Sequence, residues 1–388
     1  MAAAGPVMRG WSDRPVRTRR TAMPTERPDP RPPAGHHRSG RRQWAVLGAV
    51  AVGLALLLVL ALTVVLPHAD RNGGSMSTPD ATPTPTRVVA TRRTAAEAFP
   101  GGLAVQPTSV NHPARSESAA RTRGDVATAN ALSVIADQPI ATWLTGAGST
   151  ADTVRTVRAV LESAQTHQAT PTFVLYAVPD RDCGGYSKGG LSTAAYGPWV
   201  RHVADAMRGS HAVVLVEPDS LAQISNCPRI GTSRIPVIRQ AVHTLVDAGL
   251  TVYLDGGNED RVPVDTMARR LREAGVDEAQ GFSTNVSNFY RVDQERAYAD
   301  RLADRIGGDP HFVIDVSRNG RGWLGTWCNP PGAGLGQTPH VTAGSTRLDA
   351  LLWVKTPGLS DGTCNGGPAA GQWWQQYALD LVEHRKRD

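Results

Sequence analysis

The run Val213-Val-Leu-Val-Glu-Pro-Asp-Ser-Leu221 constrains the fold more than any other stretch of the chain. Four consecutive aliphatic residues suit a strand buried on both faces, which in a parallel sheet means helices or a closed barrel around it. Pro218 has no amide to give a ladder, so pairing stops there and Asp219 stands at the strand's carboxyl end. That end is where α/β barrels keep their chemistry. The rest of the chain repeats the theme. Strands are predicted at Ile140–Leu144, Thr172–Val178, Ala212–Glu217, Leu250–Asp255, Gly281–Val286, His311–Val316 and Leu351–Lys355. Helical spacing of apolar residues falls at Ala151–Gln165, Leu191–Met207, Ser233–Ala248, Val264–Ala274, Tyr290–Ile306 and Gln372–His384. Strands alternating with helices predict a parallel β/α barrel, with a doubly wound open sheet as second choice.

The 388 residues carry a formal charge of +6, which would suggest a nucleic-acid or membrane-surface role were it spread over the chain. It is not: ten arginines and only three acids fall within residues 1–43, leaving the remainder close to neutral. No basic patch with interleaved aromatics follows, so nucleic acid is not an expected partner. Residues 1–43 read as a disordered basic tail. Trp44 to Leu66 is then a 23-residue stretch without a charge, which at about 1.5 Å per residue spans the roughly 30 Å core of a bilayer. It is too long for the apolar core of a signal peptide, and Pro67-His68-Ala69 is a poor cleavage site, so an uncleaved anchor is predicted. The arginines before it place the tail in the cytoplasm and everything after it outside the cell. If the anchor is cleaved, the chain is secreted. Residues 67–100, with Thr82-Pro-Thr-Pro-Thr at their centre, read as a stiff Pro/Thr linker. The domain at 101–388 has the size of a single barrel.

Cys183, Cys227, Cys328 and Cys364 form no CxxC or Cys/His pattern, so a structural metal site is not expected. An even count outside the cell favours two disulfides. Of the three possible pairings, Cys183–Cys227 with Cys328–Cys364 is the one expected.

Four predicted strands carry an aspartate at or just past their ends: Asp182, Asp219, Asp255 and Asp361. A barrel gathers all such ends on one rim. A single aspartate there is more often a cap or turn former, but four together, without nearby metal-binding histidines, point to paired-carboxylate hydrolysis. Cleaving an acetal needs one protonated carboxyl for the leaving oxygen and one ionised carboxylate for water or carbon. Like charges crowded together raise one another's pKa and keep the donor protonated.

Tyr176-Ala-Val-Pro-Asp-Arg-Asp-Cys-Gly-Gly-Tyr-Ser-Lys-Gly-Gly190 and Val214-Leu-Val-Glu-Pro-Asp-Ser-Leu221 resemble the two signature motifs of glycoside hydrolase family 6, the cellulase family B. Thr284-Asn-Val-Ser-Asn288, Ile314-Asp-Val-Ser-Arg-Asn-Gly320, Trp327-Cys-Asn329 and Trp353-Val-Lys-Thr-Pro-Gly-Leu-Ser-Asp-Gly-Thr-Cys364 resemble further family motifs. The likeness runs from about Gln138 to the carboxyl terminus. It implies a distorted barrel of seven strands that cleaves β-1,4-glucosidic bonds with inversion. Asp219 then matches the general acid, Asp182 the aspartate that raises the acid's pKa, and Tyr176 the tyrosine beneath the distorted sugar. Ser187 matches the serine that holds the attacking water, Lys355 a sugar-binding lysine, and Asp361 the proposed base. The base is contested in the family, because water can also lose its proton through a relay reaching Asp182. The family's disulfides support the expected pairing.

Trp143 and Trp327 align with sugar platforms, Trp353 stands between platform and core, and Trp199, Trp373 and Trp374 read as packing. Asp255, at a strand end on the same rim, is counted among the sugar-binding residues, and Asn285, Asn288, Arg318 and Asn319 either fix the rim's loops or touch glucan. One departure stands out. Where the family has Gly-His and then a tryptophan after the strand-end aspartate, this chain has Asp255-Gly-Gly-Asn-Glu-Asp-Arg-Val262. Arg261 or a neighbour occupies the platform, at a cost of about 1–2 kcal/mol in sugar stacking. The expected function is inverting hydrolysis of internal β-1,4 bonds in cellulose or a soluble β-glucan by a monomer needing no metal or organic cofactor. Endo cutting is favoured over chain-end release because the domain has no room for long insertions. The rival is a glucan-binding surface protein that kept the barrel and lost turnover.

Overall fold

The computed structural model describes residues 91–385. The basic tail, the apolar run at 44–66 and most of the linker lie outside the described residues. Among those described, no helix is long and apolar enough to cross a membrane.

Seven parallel strands form the centre: β1 (Thr142–Leu144), β2 (Thr172–Leu175), β3 (Val213–Val216), β4 (Thr251–Asp255), β5 (Gly281–Thr284), β6 (His311–Asp315) and β8 (Leu348–Leu352), each hydrogen-bonded to the next in that order. Side chains alternate across the curled sheet. Val213 and Leu215 meet Val174, Tyr253 and Val313 on its inner side, while Val214 and Val216 face outward onto the helices. Both faces are thus dry, as the unbroken aliphatic run of β3 requires. The helices α4 (Thr150–Thr166), α5 (Thr193–Met207), α6 (Arg234–Asp247), α7 (Val264–Glu273) and α8 (Val292–Ile306) fill the crossovers, and α9 (Gln375–Glu383) ends the fold.

The expected distorted, all-parallel seven-stranded barrel needs correction in three respects. An eighth strand, β7 (His340–Val341), pairs antiparallel with β8, so the sheet is mixed. Two residues are too few to show alternation in a sequence. The ends of the parallel set are joined by one bridge, Ile140 with Trp353, where the Ala141 N–H donates to the Trp353 carbonyl at 2.9 Å. The last parallel strand starts three residues before the predicted Leu351, and its register shifts between Phe312 and Val313.

The folded part also begins before Gly101. Thr94 and Glu97 form a capping box on the short helix α1 (Ala95–Ala98), and Phe99, 2% exposed, stacks on Tyr253 with ring centroids 6.4 Å apart. The Gln280 amide grips the Arg93 backbone at both N–H (3.0 Å) and carbonyl (2.7 Å). The end of the predicted linker is therefore a plug on the amino-terminal side of the sheet. Two unforeseen helices follow, α2 (His112–Thr122) and α3 (Val126–Ala136), packed on one another, with α3 also against α9. Asn111 caps α2 through the Ala114 N–H and donates to the last carbonyl of α3, Ala136, at 3.0 Å.

Candidate active site

The strand ends gather as the β3 run implied. Beyond β3 the backbone bends sharply: Glu217 and Asp219 both have left-handed φ, 51° and 66°. Non-glycine residues adopt this only where their surroundings hold them. Glu217 is buried and supplies part of that hold, its two oxygens accepting the Ala177 N–H at 3.0 Å and one of them the Tyr196 hydroxyl at 2.9 Å. It ties the end of β3 to that of β2. Burial pushes its carboxyl up despite these donors.

Asp255 supplies the rest. Its Oδ2 accepts the Asp219 N–H at 2.9 Å and the Gly257 N–H at 3.2 Å. At 3% exposure it lies beneath the acid and does not line the cleft, which corrects its expected place among the sugar-binding residues. Burial and the neighbouring Asp219 charge push it up to about 8.

Asp182 sits on a tight turn after β2, with Asp182 and Cys183 at φ of 56° and 50°. The Cys183–Cys227 disulfide, Cα atoms 5.9 Å apart, ties this turn to the segment after Asp219. Asp182 Oδ2 accepts the Ser187 N–H at 2.8 Å and its hydroxyl at 2.9 Å, while Gln223 donates to Oδ1 at 3.2 Å. Ser187 Oγ lies 2.9 Å from Tyr176 Oη, so tyrosine, serine and carboxylate form one chain. Arg181, absent from the sequence-based site, fixes that chain: its guanidinium lies 4.7 Å from the Tyr176 ring centre and donates to the carbonyls of Ser187 and Thr145. Asp219, a third exposed, is pushed up by burial, held back by Arg261, and raised by the Asp182 charge.

The opposite wall carries Asp361. Arg318 Nη1 lies 2.8 Å from Oδ2 and Lys355 Nζ 3.0 Å from Oδ1, and the Asn329 N–H donates to Oδ2 at 3.0 Å. Burial alone would raise this carboxyl, but Arg318 and Lys355 outweigh it and hold it at about 2. The Cys328–Cys364 disulfide, Cα atoms 6.2 Å apart, closes the loop behind it. Gly362 has φ 155°, and a Cβ there would strike the Tyr186 ring. Below, the buried Asp315 accepts backbone N–H groups of Ser287, Ser317, Val354 and Lys355, pinning the ends of β5, β6 and β8.

Asp182, Asp219 and Asp361 line one cleft of about 430 Å³, together with Tyr176, Ser187, Lys355, Asn288, Trp143 and Trp327. The Trp143 ring stands edge-on to Tyr176 at 5.1 Å, and Trp327 is 46% exposed beside Tyr186. Trp353 is core, buried, with its indole N–H on the Gln337 carbonyl. Trp199 is buried on α5, and Trp373 and Trp374 pack just before α9. Asn285, Arg318 and Asn319 are buried loop anchors; Asn285 and Asn319 both donate to the Tyr290 carbonyl. Two fully buried carboxylate anchors, Glu217 and Asp315, were not foreseen as such. Their one signal is an acid at the end of an aliphatic run, which Asp219 and Asp255 share.

Residues 103–385 match the family model described as Glycosyl hydrolases family 6. The chain is 46% identical over 217 residues to Endoglucanase A of Cellulomonas fimi, covering 56% of this chain and 48% of that protein. It thus spans about half the length of that relative. It is 39% identical over 282 residues to Endoglucanase 1 of Streptomyces halstedii, covering 68% of this chain and 84% of the relative. Among solved structures, the endoglucanase Cel6 from Mycobacterium tuberculosis, in complex with methyl-cellobiosyl-4-deoxy-4-thio-β-D-cellobioside, is similar with a TM-score of 0.63 and 40% identity over 66% of this chain and 89% of that one. With most of the folded part matched by its family model, the chain belongs to glycosyl hydrolases family 6.

Proposed function

We propose that this chain hydrolyses internal β-1,4-glucosidic bonds of cellulose or a soluble β-glucan with inversion, and that Asp219 is the general acid. The observation that carries this reading is the meeting of Asp219, Asp182 and Asp361 in one cleft that Trp143 and Trp327 also line. Asp219 is the cleft carboxyl with a raised pKa, the property a proton donor needs. Asp361 has its oxygens occupied by Arg318, Lys355 and Asn329 and is held at about 2, which makes it a poor proton acceptor. The chain from Tyr176 through Ser187 to Asp182 favours the relay route: water held by the Ser187 hydroxyl attacks the anomeric carbon, and its proton passes towards Asp182. Asp361 then acts through its charge and by placing Lys355. Trp143 and Trp327 stack the glucan on either side of this centre.

Endoglucanase-named relatives favour internal cutting. The apolar run at 44–66 is proposed to anchor the chain, one pass, with the catalytic domain outside the cell, a placement that suits its two disulfides.

The test uses the full chain on carboxymethylcellulose and barley β-glucan, with reducing-end release and the anomer of fresh product followed together. Wild type is expected to release the α-anomer first. Asp219→Ala is expected to lose at least about 10³-fold in kcat with its unfolding midpoint retained. Parent-rate cleavage by that variant would mean the acid is misassigned. Tight oligosaccharide binding by wild type without product would instead favour the glucan-binding rival.

A further inference from the structure

The turn after β4 sets a cation against the acid. Arg261 Nη2 lies 3.5 Å from Asp219 Oδ1, the outer edge of hydrogen-bonding range, and each side chain is 34% exposed. Among the described residues this is the one ion pair the guanidinium makes. The backbone beneath it is firmly held. The Arg261 N–H donates to the Asn258 carbonyl at 3.2 Å, the Asp260 N–H to Asn258 Oδ1 at 3.2 Å, and the Glu259 N–H to the buried Glu295 at 3.1 Å. A stiff turn therefore presents a weakly held charge on a long side chain. Both partners line the cleft, so their contact faces the space a sugar would enter.

A general acid must carry its proton, and a guanidinium beside it favours the ionised form. The two requirements conflict while the contact lasts. Building on the assignment of Asp219 as the acid, we propose that Arg261 is a positioning residue that pairs with Asp219 in the empty cleft and is displaced when a glucosyl unit enters on the leaving-group side, so that the acid keeps its proton to higher pH in a filled site than in an empty one. The other charged or titratable groups facing Asp219 are Asp182 on the turn after β2, Asp255 beneath it at the end of β4, and the Tyr176 hydroxyl. None of them is a cation. Arg261 is thus the group whose departure favours proton uptake. An entering sugar covers the contact from solvent and offers the guanidinium hydroxyl oxygens in place of the carboxylate. The family's aromatic platform would stack this sugar; the arginine instead couples its arrival to the state of the acid.

The pH dependence of kcat/KM reports the free enzyme, and that of kcat the complex, so the two limbs separate the empty from the filled cleft. With the full chain and cellohexaose, the alkaline limb of kcat/KM is expected about one pH unit below that of kcat, the lower end of what a nearby cation does to a carboxylate. In Arg261→Leu the kcat/KM limb should rise by about one unit to meet the kcat limb, which stays in place. Arg261→Lys should keep the wild-type separation. Coincident limbs in wild type would overturn the proposal without any variant, as would an Arg261→Leu enzyme in which both limbs move or neither does. Should Arg261→Leu fail to fold, Arg261→Gln gives the same reading. Asp219→Ala separates the two levels: if it is inactive while the Arg261 limbs do not move, only the arginine proposal fails, and if it cleaves at the parent's rate the acid assignment fails first.

Discussion

Replacing Arg318 with methionine should remove the largest electrostatic contribution to holding the cleft's far wall. The guanidinium is fully buried, bonded to Asp361 at 2.8 Å and to the Ser287 carbonyl at 2.6 Å, and its carbon lies 4.4 Å from the Phe289 ring centre. Asp361 is held at about 2, some two units below an ordinary aspartate, which corresponds to about 2.6 kcal/mol of stability at neutral pH. Most of that goes with Arg318, leaving Lys355 to balance a buried carboxylate and the Ser287 carbonyl without its donor. The expected loss is about 3–4 kcal/mol at pH 7, typical of breaking a buried pair from one side. The sign follows from the depressed pKa: the stabilisation is complete above about pH 4 and disappears as pH falls through about 2. The gap between wild type and Arg318→Met, measured by urea unfolding, should therefore narrow by about 1 kcal/mol between pH 7 and pH 3. A gap under about 1 kcal/mol at pH 7, or one that does not change with pH, would refute the reasoning.

Glu295 is buried under the turn that bears Arg261, and burial pushes it up to about 7. A raised carboxyl costs stability as pH rises from the unfolded pKa to the folded one, so Glu295→Gln should gain on wild type by up to about 1 kcal/mol per pH unit between about pH 4 and 7 and level off above. Thermal unfolding across that range checks it, and a gain that shrinks with rising pH would contradict it. Phe99→Ala should cost about 3 kcal/mol, as expected for emptying a buried aromatic site. A loss near zero in urea unfolding would mean that residues 92–100 are a tether after all.

Much of the cleft could be read before any coordinates. Asp182, Asp219 and Asp361 follow predicted strands, and parallel strands deliver their carboxyl ends to one rim whatever lies between them. The limits of that reading lie in individual residues. Asp255 and Asp219 look alike in sequence, each an acid ending an aliphatic strand, yet one lies beneath the other as a backbone acceptor. Phe99 looked like the end of a Pro/Thr linker because its contact, Tyr253, is far along the chain. Helix α2, HPARSESAART, is too polar for its apolar face to stand out, and β7 is too short for any period.

The sequence by itself determined the β3 strand, its stop at Pro218, the alternation of strands with helices and the family motifs, because periodicity and a missing amide are local properties. Only the tertiary structure decided which carboxylates face the cleft and which pin the backbone, that Arg318 and Lys355 hold Asp361 ionised, and that Arg261 rests against the acid. Burial and the distance between charges set those outcomes, and neither exists until remote segments have come together.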